Sequence, residues 1–239
     1  MESVFSKEFT INDLYVDCFG RLKLSAVLFL AQEVAGHHCI ELGLDWDTMA
    51  QKNLFWAVIR HRVQINRLPR RGEQVTVKTW PLPTTRTAYP RAMEVLDQEG
   101  NVLLRSMSLW VLMDLNTRAM ILPGKSGVLV PGTTQGTELA APRSILPKTL
   151  QNHMTRPVLF SDLDRNGHMN NTRYLDWVQD LLPSGFHQSH EPKEVTVCYL
   201  NESREAQALE LRWEISENGA VHVDATREKD RVFAAQILY

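Results

Sequence analysis

Leu163-Asp164-Arg165-Asn166-Gly167-His168-Met169-Asn170-Asn171-Thr172-Arg173-Tyr174 leads straight into Trp177, Val178 and Leu181. With Tyr174 these apolar residues fall at i, i+3, i+4 and i+7, which predicts one buried face of a helix over about 171 to 182. An earlier stretch has the same outline. Laying Gln32 on Gln179 matches Asp17 to Asp164, Gly20 to Gly167, Leu28 to Leu175 and Glu33 to Asp180. The earlier helix carries Leu24, Val27, Leu28, Ala31 and Ala35 on its apolar face. Strand-like runs follow each helix, near 54 to 66, 73 to 80, 87 to 97 and 101 to 114, and near 194 to 201, 206 to 216, 220 to 228 and 231 to 239. Trp80 and Trp213 each close such a run, and Glu217-Asn218-Gly219 has hairpin-turn chemistry. Two copies of one pattern predict an internal duplication. Each copy would be an α+β unit, a long helix wrapped by a curved antiparallel sheet, and two such units can pair as a pseudo-dimer.

Between Pro123 and Pro147 the chain turns to Gly, Pro, Thr, Ser and Ala with little periodicity, which reads as a linker. This divides the chain into 1–122, a linker at 123–150, and 151–239.

The copies differ in one informative way. Asp164, Asn166 and His168 alternate just ahead of the second helix, and each brings polar atoms that are costly to bury without partners. In the first copy Phe19 and Arg21 stand where Asn166 and His168 stand in the second. A turn that needed an amide and an imidazole would have them in both copies. The alternative is a satisfied polar turn with Asn170 or Asn171 as N-cap.

Composition excludes several classes. The chain has 239 residues and a formal charge of −2, so no global basic field points to nucleic acid or a membrane surface. Cys18, Cys39 and Cys198 are scattered and odd in number, against a disulfide framework or a zinc ribbon, and a reducing cytoplasm is expected. Met1 to Glu8 has neither a signal-peptide core nor transit-peptide character. No run is long enough to span a membrane as a helix. His187 and His190 lack companion ligands and are expected at the surface, while His37 and His38 sit where imidazole can cap helical carbonyls. Without a phosphate loop or a dinucleotide fingerprint, no cofactor is expected.

Leu163 to Tyr174, together with Val197-Cys198-Tyr199-Leu200-Asn201-Glu202-Ser203, resembles the acyl-acyl carrier protein thioesterases, the tandem hot-dog family of the plant plastid FatA and FatB enzymes and their bacterial relatives. The resemblance spans nearly the whole chain. It implies that Asp164, Asn166, His168 and Glu202 take the catalytic positions and that fatty acyl-acyl carrier protein is the substrate and partner. The first half, where the constellation is missing, is expected to be catalytically degenerate and free to line the acyl tunnel. The plant enzymes carry a cysteine at the position of Ser203, so covalent catalysis through that residue is not expected. The absent transit peptide points to a bacterial-type cytoplasmic enzyme. The Asp, His and Asn-Asn pattern is also similar to single-domain acyl-CoA thioesterases of the same superfamily, which leaves acyl-CoA as the alternative substrate. A non-catalytic acyl-binding module is the third reading, and a homodimer of tandem chains is a further expectation.

A thiol leaving group, with a pKa of about 8.5, needs little acid assistance. The expected mechanism is therefore water activated or positioned by Glu202 and His168, with the Asn166 amide and a backbone N–H at the helix start polarising the carbonyl, and Asp164 orienting its neighbours. The first helix and Leu54-Phe55-Trp56-Ala57-Val58-Ile59 are candidate tunnel walls, although each is also an ordinary core residue. Arg67, Arg70 and Arg71, with Arg60 and Arg62 on the preceding strand, are a candidate docking patch for an acidic carrier, the alternative being a solvated hairpin.

Overall fold

The computed structural model describes residues 4–134, 139–217 and 219–239. In chain order the first half contains β1 (Phe5–Thr10), α1 (Leu24–Glu41), α2 (Trp46–Gln51), β2 (Leu54–Ile65), β3 (Gln74–Pro81), β4 (Tyr89–Leu96), β5 (Val102–Asp114) and β6 (Met120–Ile121). After α3 (Pro123–Ser126), the second half contains β7 (Asn152–Pro157), α4 (Arg173–Asp180), α5 (Ser184–Ser189), β8 (Glu194–Tyr199), β9 (Ala208–Ile215), β10 (Val221–Arg227) and β11 (Asp230–Leu238).

All of these strands join one antiparallel sheet of 11 strands, ordered β1-β3-β4-β5-β2-β8-β11-β10-β9-β7, with β6 branching from β5. Read outward from the β2–β8 seam, the two halves repeat the same order. The seam pairs Arg60 with Cys198, His61 with Val197, Arg62 with Thr196 and Val63 with Val195. Backbone hydrogen bonds therefore run unbroken from one copy into the next, so neither leaves a bare edge at the junction.

One apolar core serves both copies. Leu24, Val27, Leu28, Leu30 and Val34 of α1 meet Tyr174, Leu175, Trp177 and Val178 of α4 and the inward residues of the sheet. α1 is buried on most sides, consistent with a central helix under a wrapped sheet. α4 begins at Arg173, with Thr172 as N-cap instead of Asn170 or Asn171. The edge strands β1 and β7 and the short helix α5 were not expected; α5 contains His187 and is followed by His190 as its C-cap.

Beyond α3 the described residues up to 150 are irregular and are tied to the sheet. Arg62 Nη1 donates to the Ala140 carbonyl, Arg231 Nη1 to that of Ile145, and Cys198 Sγ to that of Arg143. At Gly132 a Cβ would lie 2.4 Å from the Leu82 backbone, so only glycine allows the chain to pass this close. Of the expected hairpin between β9 and β10, Gly219 has φ +78° and donates to the Ser216 carbonyl, while Asn218 lies outside the described residues.

Candidate active site

The duplicated turn takes the same form twice. Asp164 Oδ1 accepts from the backbone N–H of Asn166 and His168 at 2.8 and 3.2 Å, and Asp17 Oδ1 accepts from Phe19 and Arg21 at 2.9 and 3.0 Å. The closing backbone bonds match, from Asp164 N to His168 O and from Asp17 N to Arg21 O, each 2.8 Å. Gly167 and Gly20 both sit at φ +73°, a conformation that suits glycine. Phe19 and Arg21 thus build this turn without an amide or an imidazole. The turn explains Asp164 and Gly167; it does not explain Asn166 or His168.

The turn pairs with the segment after the seam strand in both copies, Arg21 with Arg70 and His168 with Arg204. Leu22 N donates to Pro69 O and Met169 N to Ser203 O, both at 2.8 Å. Glu202 therefore corresponds to Leu68, a buried core residue. The sequence register alone did not reveal this equivalence. Phe19, Arg21 and Leu68 stand in one copy where Asn166, His168 and Glu202 stand in the other.

Asp164, Asn166, His168 and Glu202 converge on a cavity of about 400 Å³. His168 Nε2 lies 3.2 Å from Glu202 Oε2. The approach is within ion-pair range but not aligned as a hydrogen bond, and this buried nitrogen has no hydrogen-bond partner among the described residues. The imidazole is largely enclosed, with side-chain exposure of 13%, against 44% for the carboxylate. Asn166 Nδ2 makes a long 3.4 Å bond to Asp164 Oδ2 and keeps a donor to spare. Of the expected backbone donors at the start of α4, Thr172 N–H is taken by Asn170 Oδ1 and Arg173 N–H by Asn170 O.

Arg118, which sequence reasoning missed, donates from Nη2 to Glu202 Oε1. Its guanidinium lies 4.3 Å from the centre of the Phe55 ring, so it reaches the site from the first half. Phe55, Trp56, Ala57, Val58 and Ile59 of β2 line the same cavity. A larger cavity of about 670 Å³ adjoins it, since Trp46 and Trp56 line both; its walls include Gln32, Ala35, Gly36 and Ile40 of α1. Arg91 also faces that space, donating to His38 Nδ1 at 3.1 Å and Thr79 Oγ1 at 3.3 Å. His38 is thus buried against Arg91, while His37 is exposed.

Ser203 is 1% exposed, and its Oγ accepts a 3.0 Å hydrogen bond from Tyr174. Burial pushes the Tyr174 hydroxyl up to about 12, so it stays a donor near neutrality. Four of the five candidate docking arginines are paired, Arg67 with Glu73, Arg71 with Asp13, Arg70 with Glu191 and Arg62 with Glu194. That favours the solvated-hairpin reading of the patch.

The acyl-ACP thioesterase N-terminal domain matches residues 2–122 and the acyl-ACP thioesterase C-terminal domain matches residues 147–238. The chain belongs to the acyl-ACP thioesterase family. It is 28% identical over 230 residues to a chloroplastic palmitoyl-acyl carrier protein thioesterase of Gossypium hirsutum, covering 90% of this chain and 56% of that one. The chain spans little more than half the length of the curated relatives it matches. An acyl-ACP thioesterase structure from Bacteroides thetaiotaomicron superposes with a TM-score of 0.90 at 26% identity, covering 99% of this chain and 97% of that one. A 12:0-ACP thioesterase from Umbellularia californica, at 24% identity, shares the fold with a TM-score of 0.85 over 100% of this chain and 97% of that one. The architecture is thus the tandem hot-dog fold. Among the described residues no helix is long and apolar enough to cross a membrane.

Proposed function

We propose that the chain hydrolyses fatty acyl-acyl carrier protein thioesters to free fatty acid and carrier protein, using Asp164, Asn166, His168 and Glu202. One observation carries the reading: an unpartnered imidazole nitrogen beside a carboxylate in a cavity, produced by the one copy of a duplicated turn that holds an amide and an imidazole. Family membership supplies the substrate class.

In this scheme a water held between His168 and Glu202 attacks the thioester carbonyl carbon, and its proton passes to that pair. The Asn166 amide donates to the developing oxyanion. The tetrahedral intermediate collapses with the C–S bond breaking, the sulfur leaves as thiolate and takes up a proton. Asp164 holds the turn that carries both side chains. Ser203 is an unsuitable nucleophile because its hydroxyl is buried and already accepts from Tyr174. The acyl chain would run past Trp46 and Trp56 into the larger cavity of the first half.

The test is matched kinetics on one acyl group carried by acyl carrier protein or by CoA, with His168→Ala, Glu202→Ala and Asn166→Ala beside wild type. Losses of about 10² to 10⁴ are expected for the first two and about 10² to 10³ for the third. Faster turnover on CoA would move the chain to the alternative substrate. No turnover on either, with acyl chains still bound, would make it a binding module.

A further inference from the structure

Arg118 comes from the half of the chain that lacks the polar constellation, yet it is the residue that holds Glu202. It lies 84 positions away in sequence, in the connection between β5 and β6. That connection is built with unusual care. Asp114 Oδ1 accepts from the N–H groups of Asn116 and Thr117 at 2.9 and 2.7 Å, and its other oxygen accepts from Asn53 Nδ2 at 2.7 Å. Asn116 Nδ2 donates to Asn53 Oδ1, which ties the turn to the start of β2. Arg118 itself has φ +59°, a left-handed conformation that costs any residue with a Cβ free energy, and its N–H returns to Asp114 O at 3.0 Å.

The side chain leaves this turn, crosses the Phe55 ring and ends on Glu202. Its Nε is buried without a hydrogen-bond partner among the described residues. An arginine placed only for surface solvation would keep that N–H in water. One Glu202 oxygen is therefore taken by Arg118 while the other lies 3.2 Å from His168 Nε2. Such an arrangement fixes the carboxylate plane and aims its second oxygen at the imidazole.

We infer that Arg118 is a positioning residue for Glu202, so that the first half, although its own turn lacks the amide and the imidazole, completes the catalytic site of the second. The inference rests on the hydrolase reading above. Arg118 acts through the carboxylate and touches no reacting atom.

Arg118→Ala, Arg118→Gln and Arg118→Lys, with thermal unfolding checked, would be assayed by thiol release from the acyl carrier protein thioester that wild type turns over fastest. Arg118→Gln retains a flat amide over Phe55 should the alanine variant fail to fold. Arg118→Ala and Arg118→Gln should lose about 10- to 10²-fold in kcat with KM little changed, the size of effect expected when a catalytic group is misplaced by about an ångström. Arg118→Lys should recover part of the loss. Guanidinium ion, far below denaturing concentration and against matched NaCl, should restore part of the rate to Arg118→Ala but none to Glu202→Ala. Arg118→Ala combined with Glu202→Ala should be no slower than Glu202→Ala alone.

Activity of Arg118→Ala within two-fold of wild type would overturn the inference, as would a loss confined to KM, which would assign the guanidinium to binding the carrier or its prosthetic arm. Additive losses in the double variant would overturn it as well. If His168→Ala and Glu202→Ala proved as active as wild type, the hydrolase reading itself would fail, whereas dead His168 and Glu202 variants beside a fully active Arg118→Ala would sink this inference alone.

Discussion

Ser203 shows how a single side chain separates structure from chemistry. Its neighbour Glu202 faces the cavity, while Ser203 turns into the core, where its hydroxyl is the acceptor that a buried Tyr174 needs. Ser203→Ala should therefore leave kcat/KM within a few-fold of wild type yet cost roughly 1 to 3 kcal/mol in urea unfolding, because a buried donor is left unsatisfied. Trapping an acyl group on Ser203 would reverse that view. Asp164, Asn166 and His168 stood out as candidates at this scale because polar residues crowded ahead of an apolar helix are costly unless they have partners or work, whereas Glu202 was named only through the family resemblance. Arg118 was not legible, since nothing local marks it; its meaning depends on a sheet that brings two distant turns face to face.

Among the elements, β2 carries a pH dependence of its own. His61 lies at the seam opposite Val197, with Nε2 3.0 Å from Ser106 Oγ, and burial lowers its pKa to about 4. Its ordinary value is about 6.5, so between the two pKa values the unfolded chain binds the proton more readily than the folded one. The stability held by a neutral His61 is fully present above about pH 6.5 and is lost as pH falls towards 4, a drop of roughly 3 kcal/mol. His61→Gln should flatten the stability profile across that window in urea melts; an unchanged slope would show that His61 does not govern it. α4 was readable because it buries one face at a period of 3.6 and β3 because burial alternates along most of its length, while α1 and β4 stood out as apolar runs buried on most sides. β1 and β7 escaped notice because they are short edges with only one partner strand. α4 is shorter than the periodic pattern implied, because Asn170 draws the first N–H groups into the preceding turn.

For the whole molecule, the seam makes the halves mutually dependent. Residues 151–239 expressed alone would expose the edge of β8, lose the α1 side of the core and lack Arg118 and the β2 wall of the cavity. Such a fragment should self-associate or precipitate and show no thioester turnover, and size-exclusion chromatography with an activity assay decides it. A monomeric, active fragment would contradict the shared-core account. The duplication was legible from Asp17 and Asp164 and their helices. Which strands would join was not, because strand order depends on pairings whose partners lie more than a hundred residues apart.

Two copies fused in one chain also carry a genetic consequence. In a symmetric pair of identical subunits every substitution enters twice, and a change that widens the acyl cleft in one subunit also alters the helix behind the catalytic turn of its twin. Here each position mutates once. In the proposed enzyme the lining at Gln32, Gly36 or Ile40 can drift while Asn166 and His168 stay fixed, so selectivity for the chain and competence for the reaction can be inherited separately.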